Sequence, residues 1–559
     1  MNSVRTSVRA TLISTAVAII MLFGAAPVAA YTPPDNDDVA WLYKPSTVAM
    51  VDLKLPPSSI DALRADGRTY VPGTFKLTSG RKRFGPWAVE VRLKGRWGSG
   101  QSIDGKAAFK IKFPNSRQRV GGMKKLTLNN MVQDGSYITE TISYELFRGM
   151  GVPAPRTGYA VVSVNGLDYG LHLNVETPDD RMFSKWFPNE ATKHLYEGSY
   201  GCCYNWRDPY DDNHFDVDEG DPADRSDLVA LIDTLNLEGL AWRQAMEKIA
   251  NLRELTAMWA VELYVGHWDG YAWTVNNYFI HNTKRNRITM HPWGLDQTLG
   301  ASGPLPFSGQ GFGGGNLLDR CLTDVVCSGY FSDAVLATRA KALALALDAR
   351  TATVFAAISP YIEADTRGAG LGSATWWRDR TIEFLQNRPS QVQEWYLPVS
   401  PPVNLAVIPG AVSALLSWGA TDQVFGVSPS GYLVEYKGSR DRAWKALEVL
   451  NPSVTGIRVS GLASGRYEFR VSTFSSRGTS AATSAVIGEL KLAITTYASC
   501  AAMNNQYDLR AGVSKSFGTR NKGVASYGSP LASSALYRAN QKLDLDRDGI
   551  ACEATTPLP

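Results

Sequence analysis

Little in this chain of 559 residues is one-sided. Its 57 basic and 53 acidic side chains leave a formal net charge of only +4, so the overall balance makes no electrostatic case for binding nucleic acid or a membrane surface. Long hydrophobic runs are scarce as well. The exception is residues 12–26, an apolar stretch behind Arg5 and Arg9 that is too short to span a bilayer comfortably. The small residues Val28, Ala29 and Ala30 follow it. That pattern predicts a signal peptide over 1–30, a mature chain from Tyr31 and export from the cytosol. No cysteine follows the apolar run to carry a lipid, and no later segment is apolar enough to cross a membrane. Cysteine is equally sparse, with six residues. An even number suits disulfides in an oxidising compartment, and position suggests Cys321 with Cys327 and Cys500 with Cys552. Cys202 and Cys203 remain as a third, adjacent pair. No second cysteine or histidine stands at zinc-finger spacing.

Roughly 530 residues after the leader imply three or more domains. Residues 40–396 read as one α+β body rich in Trp and Tyr. Prolines within 397–402 mark a stiff linker. From 403 to 490 the chain alternates short strands with turns, and Tyr467, Phe469 and Val471 share one face while Glu468 and Arg470 take the other. Trp418, Leu462 and Tyr467-x-Phe469-x-Val471 together resemble a fibronectin type III β-sandwich, which implies a spacer or adhesion platform.

The sharpest motif lies in the tail, residues 497–559. Asp544, Asp546 and Asp548 alternate and Gly549 follows, matching positions 1, 3, 5 and 6 of an EF-hand loop. The acids gather hard oxygen ligands on one side and the glycine permits the sharp turn. Glu553 comes two positions earlier than in an EF-hand and follows Cys552. With Cys500 near the module start and Tyr537-x-x-Asn540 before the loop, this resembles the extracellular Excalibur module. The resemblance implies calcium bound by Asp544, Asp546, Asp548 and Glu553 in a small unit closed by Cys500 and Cys552.

The body opens strand-rich, with strands expected near residues 48–55, 88–93, 109–113 and 126–128. A helix follows over about 137–150, started by Asp134-Gly135-Ser136 and stopped by Gly151 and Pro153. A hairpin then turns at Asn165-Gly166. The second half is helical: Leu252, Leu255, Trp259 and Leu263 form an apolar stripe that runs into Gly266-His-Trp-Asp269. A second hairpin, 277–291, ends at Pro292-Trp-Gly-Leu-Asp296. Helix, Asp loop, Asn, hairpin, Asp is the order of parts by which a kinase places a proton acceptor and two metal ligands.

Many short blocks in this region are similar to the CotH spore-coat kinase family. They include Gly121-Gly-Met-Lys-Lys-Leu-Thr-Leu-Asn-Asn130, Asp134, Pro153-Ala-Pro-Arg156, Tyr169-Gly-Leu171, Leu195-Tyr-Glu197, Asn277-Tyr278 and Pro292-Trp293. The resemblance implies an atypical, reduced protein-kinase fold and ATP-dependent phosphorylation of Ser on proteins. By position, Asp269 would be the catalytic-loop aspartate, with Asn277 and Asp296 holding Mg or Mn. Lys106 and Lys112 would be phosphate-binding candidates, and Glu176 would sit at the hinge beside ATP. The chain departs from the pattern at Gly294, where many relatives carry the first aspartate of Trp-Asp-x-Asp, so that Asp296 has to substitute. Two classes of function follow. One is a secreted Ser/Thr-type kinase acting on a protein or cell-envelope component; the other is an inactive kinase-fold interaction module. A glycosidase using Asp269 and Asp296 as its carboxylate pair ranks third. Trp97, Trp206 and Trp273 are expected to pack rather than to line a groove.

Overall fold

β-Branched and aromatic residues alternate with polar ones from Val48 onward, and the chain spends them on a closed barrel. The computed structural model describes residues 33–198, 214–300, 314–395, 399–421, 429–475, 478–507, 512–516, 519 and 530–553. The leader over 1–30, Cys202, Cys203 and Trp206 lie outside these residues.

The barrel is built from β1 (Val48–Lys54), α1 (Pro57–Ala65), β2 (Val71–Ser79), β3 (Lys82–Lys94), β4 (Ala108–Lys112), β5 (Lys125–Asn129), α2 (Thr139–Gly149), β6 (Thr157–Val164) and β7 (Leu167–Val175). Its strands close in the order β1-β2-β3-β4-β5-β7-β6, with β1 and β6 pairing in parallel from Val48 and Tyr159. Leu53, Phe75, Val91, Phe109, Ile111 and Leu128 fill the interior. Sequence patterning left α1 and β2 unassigned. Both are short on continuous apolar signal, and β2 carries Pro72 and Gly73 in its first turn.

A second layer follows: α3 (Asp180–Trp186), β8 (Thr192–Gly198), β9 (Phe215–Glu219), α4 (Ser226–Thr234), α5 (Gly239–Ile249), α6 (Leu252–Val265), β10 (Tyr278–Thr283) and β11 (Ile288–Pro292). Its sheet runs β11-β10-β8-β9. Four helices complete the body: α7 (Asn316–Thr323), α8 (Val325–Ala344), α9 (Leu347–Ala364) and α10 (Leu371–Trp395). One apolar cluster joins α2 of the barrel to α6, α8 and α9, with Phe147, Trp259, Phe331 and Phe355 among its members. The Cys321–Cys327 disulfide forms across the α7–α8 turn. Among the described residues, no single helix is long and apolar enough to cross a membrane.

Beyond the body lies a sandwich of β12 (Val403–Pro409), β13 (Ser413–Gly419), β14 (Gly431–Gly438), β15 (Lys445–Leu450), β16 (Gly456–Ser460), β17 (Gly465–Ser475), β18 (Gly478–Thr479) and β19 (Val486–Leu490). One sheet runs β12-β13-β16; the other runs β15-β14-β17, with β18 and β19 also paired to β17. Trp418, Tyr432, Phe469 and Val471 meet between the sheets, as the alternation required. The sandwich touches the body at α8, where the Thr479 hydroxyl donates to the Val325 carbonyl at 3.0 Å. It touches the tail too, since Val412 is buried among Met503, Leu536 and Tyr537.

Candidate active site and calcium loop

The helix α6 ends at Gly266 in a left-handed conformation (φ 69°), which turns the chain out of the helix and into the Asp269 loop. Glu262, fully buried on the last turn of α6, accepts from the backbone N–H of Tyr271 at 3.1 Å and of Ala272 at 2.8 Å. This carboxylate holds the loop against the helix. Gly270 is needed there, because a Cβ would lie 2.4 Å from His267 Nδ1 and 2.7 Å from Glu262 Oε1. Further on, Val275 (φ 58°) and Asn277 (φ 48°) sit in left-handed backbone, unfavourable for a β-branched residue and a mark of strain held in place by its surroundings.

The strained turn folds three side chains onto Asp269. Asn277 Nδ2 donates to Asp269 Oδ2 at 2.6 Å, while Asn276 Nδ2 and the Thr274 hydroxyl donate to Oδ1 at 2.9 and 3.2 Å. Gly294, also left-handed (φ 57°), lies against Asn277: a Cβ at 294 would stand 2.8 Å from Asn277 Cγ and 2.9 Å from its Oδ1. The missing side chain at 294 is therefore the space the Asn277 amide now occupies. His267 Nε2 lies 3.2 Å from the Gly294 carbonyl, tying the Asp269 loop to the segment that carries Asp296. The Thr139 hydroxyl at the start of α2 donates to the Asp296 carbonyl at 3.1 Å.

Asp296 is half-buried. Burial pushes its carboxyl up, and Lys94 opposes that shift. Lys94, the last residue of β3, lies 5.1 Å above the Trp293 ring and has Glu140, Asp296 and Glu197 as its acidic neighbours. It keeps some surface open to solvent, yet the protein packed round it pulls its pKa down. Glu140 on α2 is buried. Its Oε2 accepts from Asn129 at 2.8 Å and its Oε1 has no partner. Burial first, and Asp296 second, push this carboxyl up. The cleft continues between barrel and sheet, lined by Arg92, Lys94 and Lys110 above, Thr177 and Pro178 at the crossing, and Glu197, Phe279 and Trp293 below.

Asp269, Asn277 and Asp296 thus converge. The three other assignments in the body are placed differently. Lys106 does not reach the cleft: its ammonium is buried against Asp365 at 2.5 Å, a strut between the barrel and α9. Lys112 shares the face of Lys110 but stands two residues further along β4, past the cleft lining, where it is exposed and pairs with Glu90 at 3.0 Å. Glu176 does follow β7, and its neighbours Thr177 and Pro178 line the cleft, but its own carboxylate is taken by Arg156 (2.7 and 2.8 Å) and Lys185 (2.7 Å). Those cations hold it ionised against its burial. Trp97 is 82% exposed on a tight turn rather than packed, whereas Trp273 is buried. Sequence reasoning missed Lys94 and Glu140. Lys94 closes an alternating strand (Val89, Val91, Leu93 inward), and the only sequence signal for it was that terminal position beside Gly95.

The oxygens of Asp269, Asn277 and Asp296 are of the hard kind that a divalent cation takes, and Glu140 Oε1 is buried without a partner among the described residues.

In the tail, one oxygen of each of Asp544, Asp546 and Asp548 lies within 4.8 Å of the others. Backbone N–H groups within the loop organise it: Gly549 N donates to Asp544 Oδ2 at 3.0 Å and Ile550 N to Asp548 Oδ1 at 2.8 Å, while the Tyr537 hydroxyl donates to Asp544 Oδ2 at 2.6 Å. Asp544 Oδ1 and Glu553 Oε2 are buried without partners. Burial, then the three aspartates, push the Glu553 carboxyl up. A bound cation answers both the orphaned oxygens and the repulsion. Asn540 ties the loop to the linker by accepting from Tyr497 N at 2.7 Å and donating to the Thr495 carbonyl at 2.8 Å. The Cys500–Cys552 disulfide closes the unit.

A family model described as CotH kinase protein matches residues 91–386, just over half of the 559 residues. A second, the Excalibur calcium-binding domain, matches 497–553. The chain is similar to the inner spore coat protein H-like protein of Bacillus subtilis (strain 168), 30% identical over 105 residues, covering 16% of this chain and 33% of that protein. It therefore spans about a third of that relative's length. It is also similar to the uncharacterized protein YhjA of the same organism, 37% identical over 67 residues, covering 12% of this chain and 73% of that one. Among solved structures, one titled "Myokine structure" is 23% identical over 17% of this chain and 99% of its own, with a TM-score of 0.15. The chicken CNTN1 FN1–FN3 domains are 19% identical, over 17% and 33%, with a TM-score of 0.16.

Proposed function

The chain belongs to the CotH kinase protein family and ends in an Excalibur calcium-binding domain, and from that premise we propose that its body is an ATP-dependent protein kinase of reduced, atypical fold. What supports this reading is the clustering of charges around Lys94 from β3, which has Glu140 from α2 and Asp296 as neighbours, beside the Asp269–Asn277 pair, whose amide lies against Gly294.

Bound metal and ATP would supply the phosphoryl group and neutralise its charge. The chain's own residues do the rest. Asp269, oriented by three donors, accepts the proton of the acceptor Ser or Thr hydroxyl at its carboxylate. Asn277 and Asp296 present the metal-facing oxygens. Lys94 places its ammonium on the phosphates and Glu140 steadies it, the roles first assigned to Lys106 and Lys112. Trp293 and Phe279 wall the cleft and exclude water. The calcium module and the predicted leader support a secreted or envelope-associated protein acting on protein substrates there. The two-sheet arrangement of β12–β19 supports a fibronectin type III spacer between kinase and tail.

A second reading, an inactive kinase fold serving as an interaction module, is favoured by Gly294, because the family carboxylate at that place is absent. Nucleotide binding separates the two. With Mg or Mn, ATP should raise the unfolding temperature of the full chain, and Asp296→Asn should abolish that rise. An ATP effect that is absent with either metal, or unchanged in Asp296→Asn, leaves the interaction reading.

A further inference from the structure

The cleft contains a carboxylate that the phosphoryl-transfer roles above do not use. Glu197 lies on β8, a central strand of its sheet, so its position is set by hydrogen bonds to both neighbouring strands. It stands directly across from Phe279 on β10, and cross-strand partners share a face, so both side chains look into the cleft they line. Among the described residues, Glu197 makes no side-chain hydrogen bond and no ion pair. Its cationic neighbours, Lys110, Lys94 and Arg92, act on it from beyond bonding distance, and Asp218 on the edge strand β9 adds like charge. A half-buried carboxylate left in this way is an acceptor waiting for donors.

Its place in the cleft says which donors. Lys94 has Glu140, Asp296 and Glu197 as its acidic neighbours, and it lines the cleft together with Trp293 and Glu197. A nucleotide with its phosphates at Lys94 has the rest of that cleft, lined by Thr177, Pro178, Phe279 and Glu197, for its nucleoside. Base edges mix donors and acceptors, while the neutral sugar offers two adjacent hydroxyl donors. A carboxylate that accepts from a ribose hydroxyl is a general device for reading the sugar of a nucleotide.

We propose that Glu197 accepts hydrogen bonds from the 2′,3′-diol of the bound nucleotide and makes the cleft selective for ribonucleotides. The inference rests on the kinase reading of the cleft. Its position on a central strand gives the rigid placement that such discrimination needs.

The test is calorimetric titration of the full chain, with Mg or Mn, using ATP, 2′,3′-dideoxy-ATP and inorganic tripolyphosphate. Hydrogen bonds to an ionised group predict that ATP binds roughly tenfold to a hundredfold more tightly than its dideoxy form. Glu197→Ala should bring ATP down to the dideoxy level while tripolyphosphate binding is retained. Equal binding of ATP and dideoxy-ATP by the unaltered chain overturns the proposal without needing any variant, and so does discrimination that survives in Glu197→Ala. Should tripolyphosphate and ATP both fail to bind, the kinase reading of the cleft falls, and this inference with it.

Discussion

Two lysines a dozen residues apart divide between the proposed phosphate contact and structural support. Lys94 lines the cleft and forms no salt bridge among the described residues, and its pKa is pulled down by burial. Lys106 is buried in an ion pair with Asp365, whose carboxylate also accepts from Leu171 N at 3.0 Å. Removing Lys106 strands that carboxylate, and breaking a buried pair from one side costs about 3–5 kcal/mol. Urea unfolding should accordingly show Lys106→Met strongly destabilised and Lys94→Met close to the unaltered chain. Nucleotide binding should be lost only in Lys94→Met. The order of motifs along the chain singled out Asp269, Asn277 and Asp296, and the structure sets the Asp269–Asn277 pair beside the segment that carries Asp296, because each sits in a loop with its own local signature. It could not choose among lysines. That choice depends on which end of a strand meets the second layer and on Asp365, which is far along the chain from Lys106.

At the scale of elements, α2 shows how the site is held. Its N-terminus has no capping side chain at Ile138; instead Asp134, five residues before Thr139, accepts from Thr139 N at 2.8 Å and from Ser136 N at 3.0 Å. The Asp134 signal was legible in the sequence, although the helix begins two residues later than its pattern suggested. Asp134→Ala should lower stability by about 1–2 kcal/mol and loosen Glu140 with it. The β10–β11 hairpin makes a pH prediction. His281 is stacked between Phe183 (4.3 Å) and Phe187 (5.1 Å), and burial lowers its pKa to about 3. Below pH 6.5 the unfolded chain takes up a proton that the folded chain refuses. Stability should therefore fall as pH drops from 6.5 toward 3, by up to about 1.4 kcal/mol per pH unit. His281→Phe should make that part of the curve shallower, the rest of the slope coming from His172 and His291, whose pKa values burial also lowers, as measured by denaturant unfolding at stepped pH.

Over the whole molecule, the modular order was readable from composition shifts and turn chemistry, and both cysteine pairings within the described residues form. The barrel's closure was not readable. It depends on β1 pairing in parallel with β6 more than a hundred residues later, and no local pattern announces such a partner. The contacts between modules were hidden for the same reason. Val412 of the sandwich completes the apolar core of the calcium module, so the tail is seated on the sandwich. Calcium binding stabilises the folded tail by mass action, by about 2.7 kcal/mol at a hundred times its Kd. Calcium should thus raise the tail's unfolding temperature in calorimetry, and chelation or Asp546→Asn should remove the gain.

The central claim is that the cleft transfers phosphate, and its most direct test is incorporation of labelled phosphate from ATP by the purified full chain. Magnesium or manganese would be supplied, with the chain itself and added unfolded proteins as acceptors. The account predicts metal-dependent labelling of Ser or Thr that disappears in Asp269→Asn and in Asp296→Asn while both variants stay folded. No labelling with either metal, or labelling that persists in both variants, would contradict it.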